Sequence, residues 1–369
     1  MPDETITLSA VGDIMVAQKN YQETLQKVSP IFQAADIAFF NCETAYATGG
    51  SPASGPHGAS PNDPEKMKAL VDSGLNVCTF ANNHTIDWGL DALVECRERL
   101  EALDIAVCGA GRNMDEARAP AVVERKGIRV AFLGYLCVGP DIAIAEEHKP
   151  GCAMVRAYTH YQPLDYQPGT PAQVITWCYK EDLSEMVSDI ERAKKVADIV
   201  IVTPHWGIHN VRADIPDYEF EMGHAAIDAG ADLILGHSTH NLKGIEVYRG
   251  KVIFHSMGDF AMEYRVALRE GELRMVHSET YNVMLRKAYP LGNPDSHKTL
   301  IVKCAISKKG IERVSFVPAL ANEDKTNPEP LLRDDPRAQE VFDYINDVGI
   351  EAGLTTGFKR EGDEVVVEA

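Results

Sequence analysis

The sequence predicts an α/β protein with a layered sheet, and two observations lead to that fold class. Short apolar stretches with strand composition alternate along the chain with stretches of amphipathic helical spacing, and this order is typical of α/β layers. Five of the predicted strands are followed directly by Asp, Glu, Asn or His residues. Ligands of open α/β sheets bind at the carboxyl ends of the strands, so we expect these polar side chains to meet there.

The first part of the chain shows this alternation clearly. Strands are expected over 5–11, which ends at Gly12-Asp13, and over 36–40, 76–80 and 105–108. Helices are expected over 64–73 and 90–103. Pro64 and Gly74 flank the first helix, as residues that begin and end helices commonly do. Residues 49–64 are dense in Gly, Ser and Pro, which predicts a surface loop beside the strand ends.

The rest of the chain contains two predicted hairpins, an insertion and a less regular end. The hairpins turn at Lys126-Gly127 and Arg249-Gly250, and between them we expect helices over 181–196 and 217–229 and strands over 198–203 and 232–235. Residues 138–180 lose clear periodicity, which predicts an irregular insertion that is either a lid or a loop facing the substrate. Strands over 299–305 and 311–316, a helix over 337–348 and a fraying acidic tail over 360–369 complete the prediction.

Composition excludes several classes of protein. The net charge of −19 over 369 residues argues against a nucleic-acid partner or docking on an anionic membrane. The sequence contains no apolar stretch of about 18 residues, and because its acidic start has no basic region followed by an apolar one, we expect no signal peptide. The eight cysteines form no CxxC pair, so disulfides are not expected. We therefore expect a cytoplasmic protein, whose oligomeric state the sequence does not give.

The residues that follow the predicted strands are metal-binding types. The motifs read Gly12-Asp13, Asn41-Cys42-Glu43, Asn82-Asn83-His84-Thr85-Ile86-Asp87, His205-Trp206-Gly207-Ile208-His209 and Gly236-His237-Ser238-Thr239-His240. Neutral imidazoles suit zinc, manganese or iron, and carboxylate and amide oxygens add harder ligands. A ligand that bridges two cations needs an oxygen atom that can contact both of them. Asp13 or Glu43 can supply this oxygen, and a histidine cannot. Each motif alone has an ordinary explanation, such as a helix cap, but the set predicts a two-metal hydrolytic site.

The same motifs in this order, followed by Ser256-Met257-Gly258-Asp259-Phe260, resemble the CapA family of poly-γ-glutamate capsule biosynthesis proteins. That family is similar to the calcineurin-like metallophosphoesterases, so the resemblance implies a four-layer α/β/β/α sandwich with a dinuclear metal centre. We expect a CapA-like domain over 1–262, with the insertion over 138–180, and an extension over 263–369 that completes the same domain.

The resemblance also implies roles for individual residues. The implied metal ligands are Asp13, Glu43, Asn83, His205, His237 and His240. Glu43 is the expected bridge, Asn83, His205 and His237 surround one metal ion, and Asp13 and His240 hold the other. His84 is expected to act as general acid or to stabilise transition-state charge. Asp87 is expected to orient the His84 imidazole.

The chain departs from the patterns it resembles at several positions. Met15 stands where calcineurin-like enzymes usually have a histidine, so we expect one metal position to be poor in ligands. His209 stands where many relatives have Glu, and it is either a ligand, a substrate contact or an ordinary loop histidine. Trp206 is a weak candidate for substrate stacking, with packing as the favoured alternative. His255 and Asp259 stand where such proteins often have Tyr and Asn.

Two functions from different classes remain open. The favoured function is a hydrolase that uses two divalent ions (manganese, iron or zinc) to activate water against a phosphoester or a γ-glutamyl-type amide. Its substrate would be a small or oligomeric anion, and a phosphate pocket would be expected to use arginines, for which the candidates are Arg112, Arg156, Arg212 and Arg265. The alternative is a non-catalytic accessory protein of capsule synthesis. Asp87 beside His84 favours the enzyme, and Met15 favours the accessory protein.

Overall fold

The computed structural model describes residues 4–52, 62–262, 295–322 and 327–369. Its strands are β1 (Ile6–Met15), β2 (Ile37–Cys42), β3 (Val77–Thr79), β4 (Ala106–Cys108), β5 (Ala110–Gly111), β6 (Ala121–Arg125), β7 (Ile128–Leu136), β8 (Gly151–Cys152), β9 (Ala157–Pro163), β10 (Ala172–Cys178), β11 (Ile199–His205), β12 (Leu233–Leu235), β13 (Ile245–Tyr248), β14 (Lys251–Phe254), β15 (Asp259–Met262), β16 (Lys298–Ser307), β17 (Gly310–Leu320), β18 (Glu329–Pro330), β19 (Gly357–Glu361) and β20 (Glu364–Glu368). Its α-helices are α1 (Ser29–Gln33), α2 (Met67–Ser73), α3 (Leu90–Ala102), α4 (Met114–Arg118), α5 (Lys180–Ala193), α6 (Asp217–Asp228) and α7 (Arg337–Glu351). Short 3₁₀ helices lie at Tyr21–Glu23, Pro64–Lys66 and Asp141–Ala143.

Two sheets contain most of these strands. The larger sheet has ten described strands in the order β19-β20-β17-β16-β1-β2-β3-β4, with β15 beside β1 and β18 beside β17. The smaller sheet has six in the order β13-β14-β12-β11-β7-β6. The strands β1 to β4 are parallel, and so are β7, β11, β12 and β14. Each sheet therefore collects several carboxyl strand ends at one edge.

The central core lies between the two sheets. Ile6, Leu8 and Ala10 of β1 are all buried in it, because alternate residues of a strand face the same side. Phe39 of β2 stacks on Phe132 of β7 across this core, with 5.4 Å between ring centroids. Burial of one such large apolar side chain contributes about 1.5–3 kcal/mol to the free energy of unfolding.

Helices cover the outer faces of both sheets. Phe40 of β2 is buried in a second cluster with Leu70 of α2 and Leu100 of α3. Val200 of β11 is buried in a third cluster with Ile190 of α5 and other residues of α5 and α6. The four layers α/β/β/α confirm the predicted fold class.

The helix predicted over 64–73 shows how local sequence sets an element. The Asp63 side chain accepts a hydrogen bond from Glu65 N, and Pro64 follows it at the start of the first turn. Gly74 ends α2 with φ 95°, a left-handed conformation that glycine adopts at little cost. The prediction is confirmed, except that its first turn is a 3₁₀ helix.

The strand predicted to stop before Gly12-Asp13 is longer than expected. β1 continues to Met15, because its end pairs with β2 on one side and with β15 on the other. Gly12 permits this close packing, since a Cβ there would lie 2.0 Å from Gly258 O. The glycine therefore marks a close approach of two strands and not a turn.

The insertion over 138–180 is more regular than predicted. β9 and β10 form an antiparallel hairpin within it, from Ala157↔Cys178 to Ala172↔Pro163. Most of its residues are exposed on both faces, so the apolar alternation that identifies strands is absent. Contacts with α6 hold it, including hydrogen bonds from Cys178 N to Glu221 and from Tyr218 N to Thr176 Oγ1. The expectation of an irregular segment was wrong for this part.

The predicted fraying tail over 360–369 is also wrong. Residues of this segment belong to β19 and β20, and β20 pairs with β17 in the larger sheet. Val365 and Val367 are buried against the central core. The acidic residues that suggested a solvated tail flank three consecutive valines, of which the first and third are buried.

Residues beyond 294 add strands directly to the sheet of β1, since β16 pairs with β1 and β17 with β16. The division of the chain at residue 262 stays a prediction. Residues 53–61 of the predicted loop over 49–64 lie outside the described residues. Among the described helices, none is long and apolar enough to cross a membrane.

Candidate metal centre

The predicted motifs lie together where the carboxyl strand ends of the two sheets meet. The pairing of β1 with β2 places Asp13 beside Asn41. An isolated parallel bridge joins His205, at the end of β11, to His237 beyond β12. The Ser238 N–H donates a hydrogen bond of 3.2 Å to Asp13 Oδ2. This bond joins the end of the larger sheet to a loop of the smaller sheet.

One group of candidate ligands contains Asp13, His205 and His237, whose ligand atoms all lie within 4.8 Å of one another. The Nδ1 atoms of His205 and His237 are 2.8 Å apart. Asn83 Oδ1 lies 2.8 Å from His205 Nε2, and Glu43 Oε1 lies 4.0 Å from the same nitrogen. The residues predicted around the first metal ion are therefore neighbours.

A second group contains Asp13, His240 and Asp259, with the same mutual spacing of ligand atoms. His240 Nδ1 lies 2.8 Å from Asp259 Oδ1. The pairing of β1 with β15 places Asp259 directly beside Asp13. Asp13 is thus the carboxylate common to both groups, and the bridging role of Glu43 stays a prediction.

Two buried atoms of the site accept or donate no hydrogen bond among the described residues: Glu43 Oε1 and His237 Nε2. Both residues are fully buried. A buried polar atom without a partner costs about 1–3 kcal/mol, and a coordinated cation would remove that cost. The donor set of carboxylates, imidazoles and an amide oxygen matches what divalent transition-metal ions bind, so the residues present fit a metal centre.

The protonation states of the site residues also fit a metal centre. Burial, together with the charge of Asp259, raises the pKa of Asp13 to about 6. Burial and the nearby Asp13 raise the pKa of Glu43 well above its usual value. Burial lowers the pKa of His237 to about 3 and, with the neighbouring His237, lowers the pKa of His205 well below its usual value. The imidazoles are thus neutral, as metal ligands must be, while the carboxylates repel one another.

His84 and Asp87 lie beside this centre. His84 Nδ1 lies 2.7 Å from Asp87 Oδ2, and His84 Nε2 lies 3.8 Å from Glu43 Oε1. The side chain of His84 is 18% exposed, which leaves it accessible from the solvent. This arrangement gives Asp87 the position needed to orient the His84 ring.

The two weak substrate-binding candidates occupy different environments. Trp206 is fully buried, and its Nε1 donates a hydrogen bond of 2.7 Å to His255 O. It packs in the core, and no substrate can reach its ring in this structure. His209 is half-buried, with Nε2 3.0 Å from Ser238 Oγ and its ring edge-on to His240. His209 therefore lies beside the second ligand group.

Three residues of the site were missed as functional residues, although all lie in the quoted motifs. Asn41 Nδ2 donates to Asp13 Oδ1 at 2.8 Å. Asn82 Nδ2 donates to Asn41 Oδ1 and to Cys42 O, which ties the loop after β3 to the end of β2. Asp259 was noted only as a departure from the resembled pattern. A rule that counts every polar side chain at the carboxyl end of a strand would have included Asn41 and Asn82, whereas Asp259 begins β15.

The loop that carries His237 and His240 has an unusual backbone. Ser238 has φ 97° and His240 has φ 60°, a region that non-glycine residues rarely adopt. Contacts with the loop after β11 hold it, including a hydrogen bond of 2.8 Å from Asn210 N to Thr239 O. Strained backbone of this kind is concentrated at functional sites.

Comparison with known proteins places the chain among capsule proteins. The family model described as bacterial capsule synthesis protein PGA_cap matches residues 7–264. The PGA biosynthesis protein CapA of Bacillus subtilis is 31% identical over 323 residues, which cover 84% of this chain and 78% of that protein. A probable polyglutamine synthesis accessory protein of Mycobacterium tuberculosis is 29% identical over 235 residues, which cover 63% of this chain and 57% of that protein.

A calcineurin-like phosphoesterase of Bacillus subtilis, of known structure, aligns over 95% of this chain and 98% of its own length, with a TM-score of 0.43 and 13% identity. The extent of the family match and the identity to the Bacillus protein confirm the predicted resemblance. The chain belongs to the bacterial capsule synthesis protein PGA_cap family, which includes CapA.

Proposed function

We propose that this protein is a metal-dependent hydrolase with a dinuclear centre. The observation that carries the proposal is the convergence of six predicted ligands, from five separate motifs, around two groups of atoms that share Asp13. Buried atoms of Glu43 and His237 that have no hydrogen-bond partner within the described part of the chain support it further. A purely structural role explains neither the shared carboxylate nor the partly exposed His84 beside it.

The chain itself supplies the ligands and a proton donor. The residues that would hold the ions are Asp13, Glu43, Asn83, His205, His237 and His240, and bound ions would supply Lewis acidity and lower the pKa of a water. His84 Nδ1 is held by Asp87, so its Nε2 is directed towards Glu43 and the centre. From that position the imidazole donates a proton to the leaving group or stabilises negative charge in the transition state.

The names of the relatives favour a γ-glutamyl-type amide over a phosphoester as substrate, and the arginines give a phosphoester no additional support. A phosphate pocket is expected to present arginines to the substrate. Three of the four candidates are engaged by carboxylates: Arg112 by Glu98 and Glu116, Arg156 by Asp182, and Arg212 by Glu351 and Asp295. Arg265 lies outside the described residues. An oligomeric glutamyl anion also agrees with the polymer named in the relatives.

The second candidate function is that of an accessory protein of polymer synthesis without catalysis. One observation favours it: a relative in Mycobacterium tuberculosis is named as an accessory protein. In this function the metal ions organise the loops or bind polymer carboxylates, and His84 performs no proton transfer.

Metal content and hydrolysis in matched variants distinguish the two functions. Wild type, His237→Ala, His84→Ala and, as control, His148→Ala are purified without chelators and measured by mass spectrometry. His148 is suitable as the control because its side chain is 88% exposed. We expect about two equivalents of metal in wild type, His84→Ala and His148→Ala, and less in His237→Ala.

Activity is then measured with γ-glutamyl anilides and with nitrophenyl phosphate esters. We expect anilide hydrolysis that falls by about 10²–10⁴-fold in His84→Ala and is unchanged in His148→Ala. A metal-loaded wild type that cleaves neither substrate class would support the accessory function. A protein that binds no metal after reconstitution would refute the dinuclear centre.

A further inference from the structure

The second metal position, which the sequence motifs assign to Asp13 and His240, has too few ligands from those motifs. Metal sites in proteins use at least three protein ligands in most cases, and apart from Asp13, which both groups share, the motifs give this position one imidazole, that of His240. Met15 follows Asp13 two residues later in β1, and a thioether is a poor ligand for manganese or zinc. Another side chain must complete the position if a second ion is held there.

β15 brings a carboxylate to this place. It runs parallel to β1 with Asp13 opposite Asp259, and both residues are fully buried. The ligand atoms of Asp13, His240 and Asp259 all lie within 4.8 Å of one another. Two buried carboxylates on adjacent strands repel each other when both are ionised. A cation bound by both would neutralise their charge and remove this repulsion.

We propose that Asp259 is the third protein ligand of the second metal position, and that it supplies from β15 the donor that Met15 cannot supply from β1. The inference rests on the dinuclear centre of the proposed function. It makes the two positions chemically different: beside the shared Asp13, one position has a carboxylate and an imidazole, from Asp259 and His240. The other has two imidazoles and an amide, from His205, His237 and Asn83.

The other role open to Asp259 is to orient His240, whose Nδ1 lies 2.8 Å away. The substitution Asp259→Asn separates the two roles. Asparagine has the size of aspartate and keeps an oxygen that accepts a hydrogen bond from His240, so an orienting role survives. The negative charge of the ligand is lost, so coordination is weakened.

The first test is metal content and Mn²⁺ affinity of wild type, Asp259→Asn and Met15→His/Asp259→Asn, with His237→Ala as a control at the other position. We expect about two equivalents in wild type and about one in Asp259→Asn. The double variant should regain the second equivalent, because a histidine at position 15 returns a nitrogen ligand from β1. Two equivalents with unchanged Mn²⁺ affinity in Asp259→Asn would overturn the proposal and leave the proposed function intact.

Thermal unfolding gives a second readout that does not depend on activity. Removal of one of two repelling carboxylates should raise the Tm of metal-free Asp259→Asn above that of metal-free wild type. Added Mn²⁺ should then raise the Tm of the variant by less than that of wild type. An Asp259→Asn variant with a lower metal-free Tm and the full Mn²⁺ response would show that Asp259 only orients His240. A wild type without any metal response would refute the proposed function itself.

Discussion

Single residues at the centre are packed so closely that their exact size matters. Gly12 lies in β1 next to Asp13, where β1 approaches the start of β15. A Cβ at Gly12 would collide with the backbone of Gly258. Backbone atoms cannot move aside as a flexible side chain can. The position of Asp13 relative to Asp259 therefore depends on the absence of a side chain one residue earlier.

The variant Gly12→Ala should lower both stability and metal content. We expect a loss of about 1–3 kcal/mol in the free energy of unfolding, as for overpacked cores, and less than two equivalents of bound metal. Urea unfolding and mass spectrometry measure the two effects. Gly349→Ala in α7 is the control, since nothing lies within 4 Å of an added Cβ there, and it should stabilise by about 0.5–1 kcal/mol. Equal behaviour of the two variants would contradict the close approach.

The protonation of Asp13 predicts a pH-dependent response to metal. Because its pKa is raised to about 6 from the ordinary 3.8, its contribution to the stability of the metal-free protein is present below pH 3.8 and is lost as pH rises through about 6. Above that pH the ionised carboxylate is unfavourable until a cation binds. Mn²⁺ should therefore raise the Tm more at pH 7.5 than at pH 5, as differential scanning fluorimetry can measure. A Tm increase that is equal at both pH values would disagree with this assignment.

At the scale of elements, two loops of the smaller sheet act as one unit. His205 ends β11 and the loop after it carries His209, while the loop after β12 carries His237 and His240. Lys243 lies just beyond the second loop, is 1% exposed, and donates hydrogen bonds to Val211 O and Asp214 O of the first loop. Burial lowers the pKa of Lys243 to about 8, so at neutral pH the ammonium remains charged and holds both carbonyl groups.

The variant Lys243→Met should loosen this pair of loops. It keeps the length of the side chain but leaves two carbonyl groups without their donor, at a cost of about 1–3 kcal/mol in the free energy of unfolding. Metal affinity should fall as well, because His209 and His240 lose their fixed spacing. Lys359→Met is the control, since Lys359 is 64% exposed and its replacement should change stability by less than about 0.5 kcal/mol. An unaltered Lys243→Met protein in urea unfolding would exclude this role.

At the scale of the whole molecule, the last residues complete the larger sheet. β20 pairs with β17, which pairs with β16, and β16 pairs with β1 beside the centre. Val365 reaches the core between the sheets. The C-terminal end thus supports the strand that carries Asp13 through two intervening strands.

Replacement of Val365 by alanine should destabilise the fold by about 2–3 kcal/mol, from lost burial and the cavity left behind. Val366→Ala is the matched control, because the same substitution one residue later falls on the opposite, partly exposed face of β20. Chemical denaturation of both variants measures the difference. Equal losses would mean that this hairpin does not contribute to the core as the structure shows.

Most of the fold and much of the candidate site could be predicted from local sequence. The strand and helix periods, Pro64 and Gly74 around α2, and the glycine-containing turns at 126–127 and 249–250 are short-range signals, and the structure agrees with them. The motifs at the strand ends predicted six metal-binding residues that the fold does bring together. These signals were sufficient because strand alternation and turn conformation depend on neighbours in the chain.

What only the tertiary structure decided depends on residues far apart in the chain. The pairing of β1 with β15 places Asp259 beside Asp13, although 246 positions separate the two in the sequence. No local pattern predicts that these two strands become neighbours. The exposed hairpin of β9 and β10 and the strand β20 were missed because their stability comes from α6 and β17. The sequence by itself determined which chemistry the strand ends offer, whereas the pairing of the strands decided which carboxylates share a metal position, since that depends on distances that only the folded chain sets.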